Sequence, residues 1–353
     1  MIKTSTARLC CDTDVGALGL NLIGFLNESN LFFSGILLPD KPKDIYGIIQ
    51  SILSTSRVSN ALDPKLASMA YVSRSGSEII GKNLIHVDSL FRGGLMRKVY
   101  LKDSSKLVGY ILNGVTNYIP RVSGYAGSSK GSSLKKASND DSVLVLGISI
   151  CENGLEKTIY ISAVADGVSS LGSGFVASST AIRTFVCLVA TTFYLEQSID
   201  LQTIKEVFLK TAQELLKRNK KEESAVATTF TATVYPVNGV NIVVHVGDTR
   251  AYLFKDNKLV RLTEDHKIPG TTIITRSLGL SLPEPQIVSS FFDPGSTLIV
   301  VSDGLYEVVS EDEIASAVDK LKIPSLIVRE LIKKAVERRG KDDASIGVIR
   351  RIL

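Results

Sequence analysis

Tryptophan is absent from this chain and histidine is scarce, with His86, His245 and His266 far apart. So thin a set argues against a His-rich zinc site. The four cysteines, Cys10, Cys11, Cys151 and Cys187, lack metal-ligand spacing, and Cys10 and Cys11 are adjacent and badly placed to bridge each other. Reduced thiols in a cytoplasmic protein are the reading they support. No basic-then-apolar secretory layout is visible over residues 1–16. The apolar run at 16–26 contains Asn21 and is too short to span a bilayer. Charge is sparse as well, 22% of residues against 44% hydrophobic ones, which supports globular folding over disorder. About +4 of the net +5 falls before residue 120. That mild excess reads as a solvated surface rather than a nucleic-acid footprint. Neither a membrane nor nucleic acid is an expected partner.

What the sequence does have is aspartate in telling places. Asp141 lies in Asn139-Asp140-Asp141, Asp166 in Ala165-Asp166-Gly167, Asp303 in Ser302-Asp303-Gly304 and Asp342 in Lys341-Asp342-Asp343. Each ends or follows an apolar run of strand type. A carboxylate at a strand end can point at a shared spot while its backbone stays fixed. Hard divalent cations take such oxygen ligands, and clustered carboxylates repel one another unless a cation neutralises them. The economical reading is a carboxylate-only centre for two ions that activates water against a phosphate ester.

The flanks of these motifs carry a family resemblance. In order, the chain reads Lys136 to Asp141, Val164-Ala165-Asp166-Gly167-Val168-Ser169-Ser170, Ala227-Thr228-Thr229, Val246-Gly247-Asp248-Thr249-Arg250, Leu262-Thr263-Glu264-Asp265-His266, Val301-Ser302-Asp303-Gly304-Leu305 and Lys341-Asp342-Asp343-Ala344-Ser345. This series resembles the metal-dependent serine/threonine protein phosphatases of the 2C class, over about residues 121–353. The resemblance implies an α+β fold: a layered α-β-β-α sandwich of two antiparallel sheets flanked by helices, with the metals at one end. It implies hydrolysis of phosphoserine and phosphothreonine in proteins by a hydroxide bridging two divalent cations, Mn2+ or Mg2+. Asp166 would bridge both ions, with the Gly167 carbonyl helping to hold the second. Asp303 and Asp342 would bind the first, and Asp140 and Asp141 would serve the second, largely through waters. Asp140 is one methylene shorter than the family's glutamate, and Asp343 stands where the family has asparagine. Lys136 replaces the arginine that clamps the phosphate, supplying charge without a bidentate fork. Val168 replaces a histidine that donates a proton in some members. Glu222 and Glu223 stand where relatives can place an acidic group for a third ion.

Two domains are expected, 1–120 and 121–353. The Gly/Ser-rich stretch at 123–133 reads as a mobile break between them, part of it serving as an active-site hairpin. Beyond it, strands are expected at 142–150, 158–165, 229–235, 241–246, 251–254 and 344–350, with Asn238-Gly239 as a hairpin turn. Helices are expected at 175–195 and at 201–217, the latter with Ile204, Val207, Phe208, Ala212, Leu215 and Leu216 as one stripe. Ser310-Glu311-Asp312-Glu313 reads as a capping box, and Pro324 opens another helix that ends at Arg339 before Gly340. The first domain is read as a separate, smaller α/β regulatory or structural module for a protein partner. It has helices at 45–53 and 64–71 and a two-stranded unit at 98–111 that faintly resembles small β-barrels, some of them RNA-associated. Asp248 and Arg250 are expected to hold a hairpin, and His266 to be buried or to cap a turn. Two alternatives stay open: a degenerate family member acting as a scaffold, and a phosphatase directed by an RNA- or protein-binding first domain.

Overall fold

The computed structural model describes residues 122–352, apart from 134–137, 153–154, 169–173, 197, 222–224 and 238–239; before residue 122 it describes the backbone of five strands. Those five are β1 (Leu18–Gly24), β2 (Phe33–Leu38), β3 (His86–Ser89), β4 (Met96–Tyr100) and β5 (Leu107–Leu112). Then follow β6 (Val122–Ser129), β7 (Asp141–Glu152), β8 (Leu155–Asp166), α1 (Gly174–Glu196), α2 (Leu201–Lys221), β9 (Phe230–Pro236), β10 (Asn241–Val246), β11 (Arg250–Lys255) and β12 (Lys258–Arg261). The chain continues with β13 (Gln286–Ser290), β14 (Thr297–Val301), α3 (Asp303–Tyr306), α4 (Glu311–Leu321), α5 (Pro324–Glu337) and β15 (Ala344–Arg351).

Two antiparallel sheets result. One runs β13-β10-β9-β8-β7-β1-β2-β5-β4-β3 and the other β12-β11-β14-β15-β6. The central strands are apolar on both faces because both faces are covered, as in β10 and β14, where every residue is buried. One core, with Phe185, Phe208 and Phe230, lies between the first sheet and α1 and α2. A second, with Val145, Tyr235 and Val300, fills the space between the sheets. A third packs α4 and α5 on the second sheet through Ile314, Ile327 and Leu331. The α+β sandwich of two antiparallel sheets flanked by helices is therefore the observed architecture. Helix α1 is apolar and long enough to cross a membrane by length and composition, but most of it is buried against this core.

The 123–133 stretch corrects the expectation of a mobile break. Its first part is β6, an edge strand whose residues 122–129 pair along the whole of β15. Small residues there serve packing on both sides. A Cβ at Gly124 would stand 2.6 Å from Val145 of the facing sheet, and one at Gly127 would stand 2.5 Å from Val328 of α5. Helix ends also differ by a few residues: α2 runs on to Lys221 and α5 stops at Glu337. The α2 stripe is buried as expected except that Leu216 is half-exposed, while Thr211 and Asn219 join the buried side. The expected unit at 98–111 corresponds to β4 paired with β5. The expected helices at 45–53 and 64–71, and the Asn238-Gly239 turn, lie outside the described residues.

Candidate metal centre

Strand register assembles the first pair of aspartates. β7 and β8 are antiparallel, and their ends place Asp141 directly opposite Asp166. Asp303 opens α3 immediately after β14, and Asp342 precedes β15, the neighbour of β14. Both sheets thus deliver carboxylates to one end of the sandwich. Asp141 is 1% exposed, whereas Asp166, Asp303 and Asp342 are half-buried.

The charges of these residues act on one another. Burial pushes the Asp166 carboxyl well above the usual range, and Asp141, Asp303, Asp342 and Asp248 each push it further. Asp141 is raised by burial, against hydrogen bonds from Ser302 and Ser345, with Asp343 and Asp303 adding repulsion. Asp303 is lifted to about 7, by burial first and then by Asp248, Asp342 and Glu307. Asp166 is the hub, since it feels carboxylates from four other places in the chain.

Each backbone is anchored by side chains from the motifs. Asp166 N–H donates to Thr229 Oγ1 at 2.9 Å, and Thr228 Oγ1 donates to the Asp166 carbonyl at 2.8 Å. The Ala227-Thr228-Thr229 motif is therefore a latch on the strand end that carries the hub. Asn139 Oδ1 accepts from Asp141 N–H at 2.9 Å, and Asn139 Nδ2 donates to Ser128 Oγ. Ser302 Oγ donates to Asp141 Oδ2 at 2.7 Å, tying the two sheets together beside the centre. Asp343, 1% exposed, accepts from Gly131 N–H through Oδ1 and from Asp140 N–H through Oδ2, both at 2.9 Å. The extra carboxylate at 343 thus fixes two loops. Sequence reasoning missed this role, and it missed Ser302 and Ser345 although both stand inside the quoted motifs.

Asp140 comes to the same end, but its Oδ1 accepts the Phe175 N–H at 3.1 Å, in the first turn of α1. A carboxylate there meets free N–H groups and the positive end of the helix dipole. Gly167 lies against Gly174 so closely that a Cβ on Gly174 would stand 2.6 Å from the Gly167 carbonyl oxygen. Lys136, Glu222 and Glu223 lie outside the described residues. Val168 N–H donates to the Ala227 carbonyl at 2.9 Å.

The surrounding hairpin is firmly held. Gly247 adopts φ +103°, a conformation that favours glycine, and a Cβ there would press on Thr229 at 2.6 Å. Arg250 forks onto Asp265 at 3.1 and 2.8 Å and covers the Tyr306 ring at 3.6 Å. Burial works to raise the Asp265 carboxyl, but hydrogen bonds from Arg250 and the charges of Arg250, Arg261 and Lys267 bring it below the usual range. His266 accepts from Gly247 N–H through Nδ1 and stacks on buried His245 at 4.8 Å. The turn-holding roles expected of Arg250 and His266 match these contacts.

The donor set suits hard cations. Among the described residues, Asp141 Oδ1, Asp303 Oδ1 and Asp248 Oδ1 are buried carboxylate oxygens without a hydrogen-bond partner. Such oxygens are costly unless a cation or donor meets them. Among the described residues no three acidic, histidine or cysteine side chains are drawn together as a finished cage.

Residues 135–330 match the protein phosphatase 2C family. The chain belongs to that family and is a protein phosphatase of the 2C type, a hydrolase. Among its relatives is the serine/threonine phosphatase stp of Listeria monocytogenes, 28% identical over 232 residues, which span 58% of this chain and 88% of the relative. The solved PPM Ser-Thr phosphatase MsPP of Mycobacterium smegmatis is 25% identical, with a TM-score of 0.52 over 65% of this chain and 97% of that one. The catalytic domain of PstP, solved with two manganese ions, shares the fold at a TM-score of 0.53, with 23% identity, over 66% of this chain and 99% of that one.

Proposed function

We propose that this phosphatase removes phosphate from phosphoserine and phosphothreonine in proteins, using two divalent cations, manganese or magnesium, held by Asp141, Asp166, Asp303 and Asp342. The observation that carries this reading is the position of Asp166, opposite Asp141 at the paired ends of β7 and β8, with Asp141 tied by Ser302 to the second sheet beside Asp303. When bound, the cations would supply charge neutralisation and activation of a water. Asp166 is assigned to both ions. Asp303 and Asp342 flank it from the second sheet and Asp141 from the first. The Ser302 hydroxyl fixes the Asp141 rotamer, and Thr228 and Thr229 prevent the Asp166 strand end from retreating under repulsion. Asp140 orders the start of α1, and through its backbone N–H it is tied to Asp343, the neighbour of Asp342. Lys136 is assigned to the incoming phosphate as a charge without a fork. Residues 1–120, whose β1 extends the first sheet along β7, are assigned to recruiting a protein partner, and the whole to cytoplasmic signalling.

The test is hydrolysis of a generic aryl phosphate in millimolar manganese, with and without chelator. Wild type should turn over and stop when metal is removed. Asp166→Asn and Asp303→Asn should each abolish turnover while remaining folded, because an amide oxygen is a much weaker ligand than a carboxylate. Absence of turnover by wild type in both manganese and magnesium would replace this reading with that of a scaffold.

A further inference from the structure

We propose that Asp248 is a fifth carboxylate of the metal centre, serving the cation assigned to Asp303 and Asp342, with Lys267 as its positioning partner. This rests on the two-cation reading above.

A hairpin-holding role leaves Asp248 unexplained. The turn that carries it is secured by its neighbours. Thr249 Oγ1 meets Thr231 Oγ1 at 2.5 Å, Arg250 forks onto Asp265, and His266 N–H donates to the Gly247 carbonyl at 2.7 Å. The Asp248 side chain takes part in none of these. It is 4% exposed, its Oδ1 has no hydrogen-bond partner, and its Oδ2 lies 3.6 Å from Lys267 Nζ. A buried, half-satisfied carboxylate is unfavourable unless something positive completes it.

Its surroundings show where that positive group belongs. The register of the second sheet pairs Arg250 of β11 with Val301 of β14, so Asp248 and Asp303, each two residues beyond that pair, stand at the same end of neighbouring strands. Tyr306, one turn along α3 from Asp303, donates through its hydroxyl to the Asp248 carbonyl at 3.1 Å. Lys267 is held by Asp265 Oδ2 at 3.6 Å and by the Tyr306 hydroxyl at 3.4 Å. The chain thus carries Asp248 into the wall of the centre on the Asp303 side, with one ammonium group behind it and one oxygen left over. A divalent cation, met directly or through its waters, is the ligand that oxygen fits.

Calorimetric titration with manganese chloride, paired with thermal melts with and without the metal, tests this on the full chain. Wild type is measured first. Without manganese, Asp248→Asn should melt no lower than wild type, because a repelling charge has been removed. One of its two manganese binding events should weaken about tenfold, the scale of loss for groups that support metal ligands. Thr249→Ala disturbs the same turn without touching the carboxylate; it should melt lower and bind manganese normally. Wild-type affinity in Asp248→Asn, or equal weakening in Thr249→Ala, would overturn the assignment and leave the two-cation reading standing. No manganese binding by wild type would overturn both.

Discussion

Asp343 and His245 show how a single buried group sets local behaviour. The Asp343 carboxylate accepts two backbone N–H groups, one from Gly131 and one from Asp140. Asparagine can accept only one of them, because its amide nitrogen would meet the other N–H. Asp343→Asn should therefore lower unfolding free energy by roughly 1–3 kcal/mol and loosen the Asp140 loop. Denaturant unfolding checks the first effect and hydrogen exchange at Asp140 and Gly131 the second. His245 is buried between Thr231 and the Glu264 carbonyl. The carbonyl can only accept, so Nε2 carries the proton and Nδ1 accepts from Thr231. Burial, aided by His266, lowers its pKa to about 3. The folded state holds this imidazole neutral, so its stability contribution is complete above the unfolded pKa near 6.5. That contribution is lost as pH falls from there toward 3. Asp141, Asp166 and Asp303, all raised, work in the opposite direction, destabilising at neutral pH and relaxing as they protonate. The difference between wild type and His245→Gln isolates the histidine. The variant should lose less stability than wild type between pH 6.5 and 4, by an amount on the order of a few kcal/mol, as read from denaturant midpoints along a pH series. A flat difference would show that His245 is charged in the folded protein. At this scale, the aspartate motifs were legible because their flanks repeat a family order. Asp248 and Asp343 were not, because a sequence does not say which hydroxyl, amide or carboxylate a side chain will face.

Among the elements, α4 was read most completely from sequence. Ser310 Oγ accepts from the Glu313 N–H, and the Glu313 carboxylate accepts from the Ser310 N–H, so the expected capping box is present on both arms. Arg338 and Lys334 of the α5 region also bind Glu313. Ser310→Ala should cost about 1 kcal/mol, as loss of an N-cap does, visible as a shifted denaturant midpoint with unchanged turnover. A drop in turnover of the same variant would mean that α4 communicates with the centre through α3. Strand β6 was the least legible element. Glycine and serine in a row are the composition of a flexible linker, and nothing local separates that from a strand squeezed between a sheet and a helix. The information lies in Val145 and Val328, which demand small neighbours at Gly124 and Gly127. The long helices and central strands needed no such help, since their periodicity and apolar runs survive in any context.

For the whole molecule, the solved PstP and MsPP chains are matched over nearly their full lengths while covering only about two-thirds of this one. The four motif-derived aspartates and β6 all follow residue 121. A fragment starting at Arg121 should therefore fold and hydrolyse an aryl phosphate in manganese. The backbone pairing of β1 with β7 adds a specific expectation. Without β1, the fragment presents β7 as a long unpaired edge, which invites self-association. Light scattering should find it more associated than the full chain at equal concentration. A soluble, manganese-binding fragment without turnover would mean that residues before 121 complete the active site. The expected division at 121 rests only on where the motif series begins, because domain membership depends on strand pairing across long sequence separations, as between β1 and β7.

The place of β15 has a consequence for synthesis. It lies between β14 and β6, and Asp342 and Asp343 stand directly before it. During translation β6 and β14 are both made before it, so they wait without the strand that joins them. A chain interrupted between β14 and Asp342 would carry two open edges, a loop at Gly131 without its anchor, and an incomplete set of carboxylates. With Asp342 assigned to the metals, catalytic competence waits until the stretch that carries it has emerged, and shorter products carry open strand edges that invite aggregation.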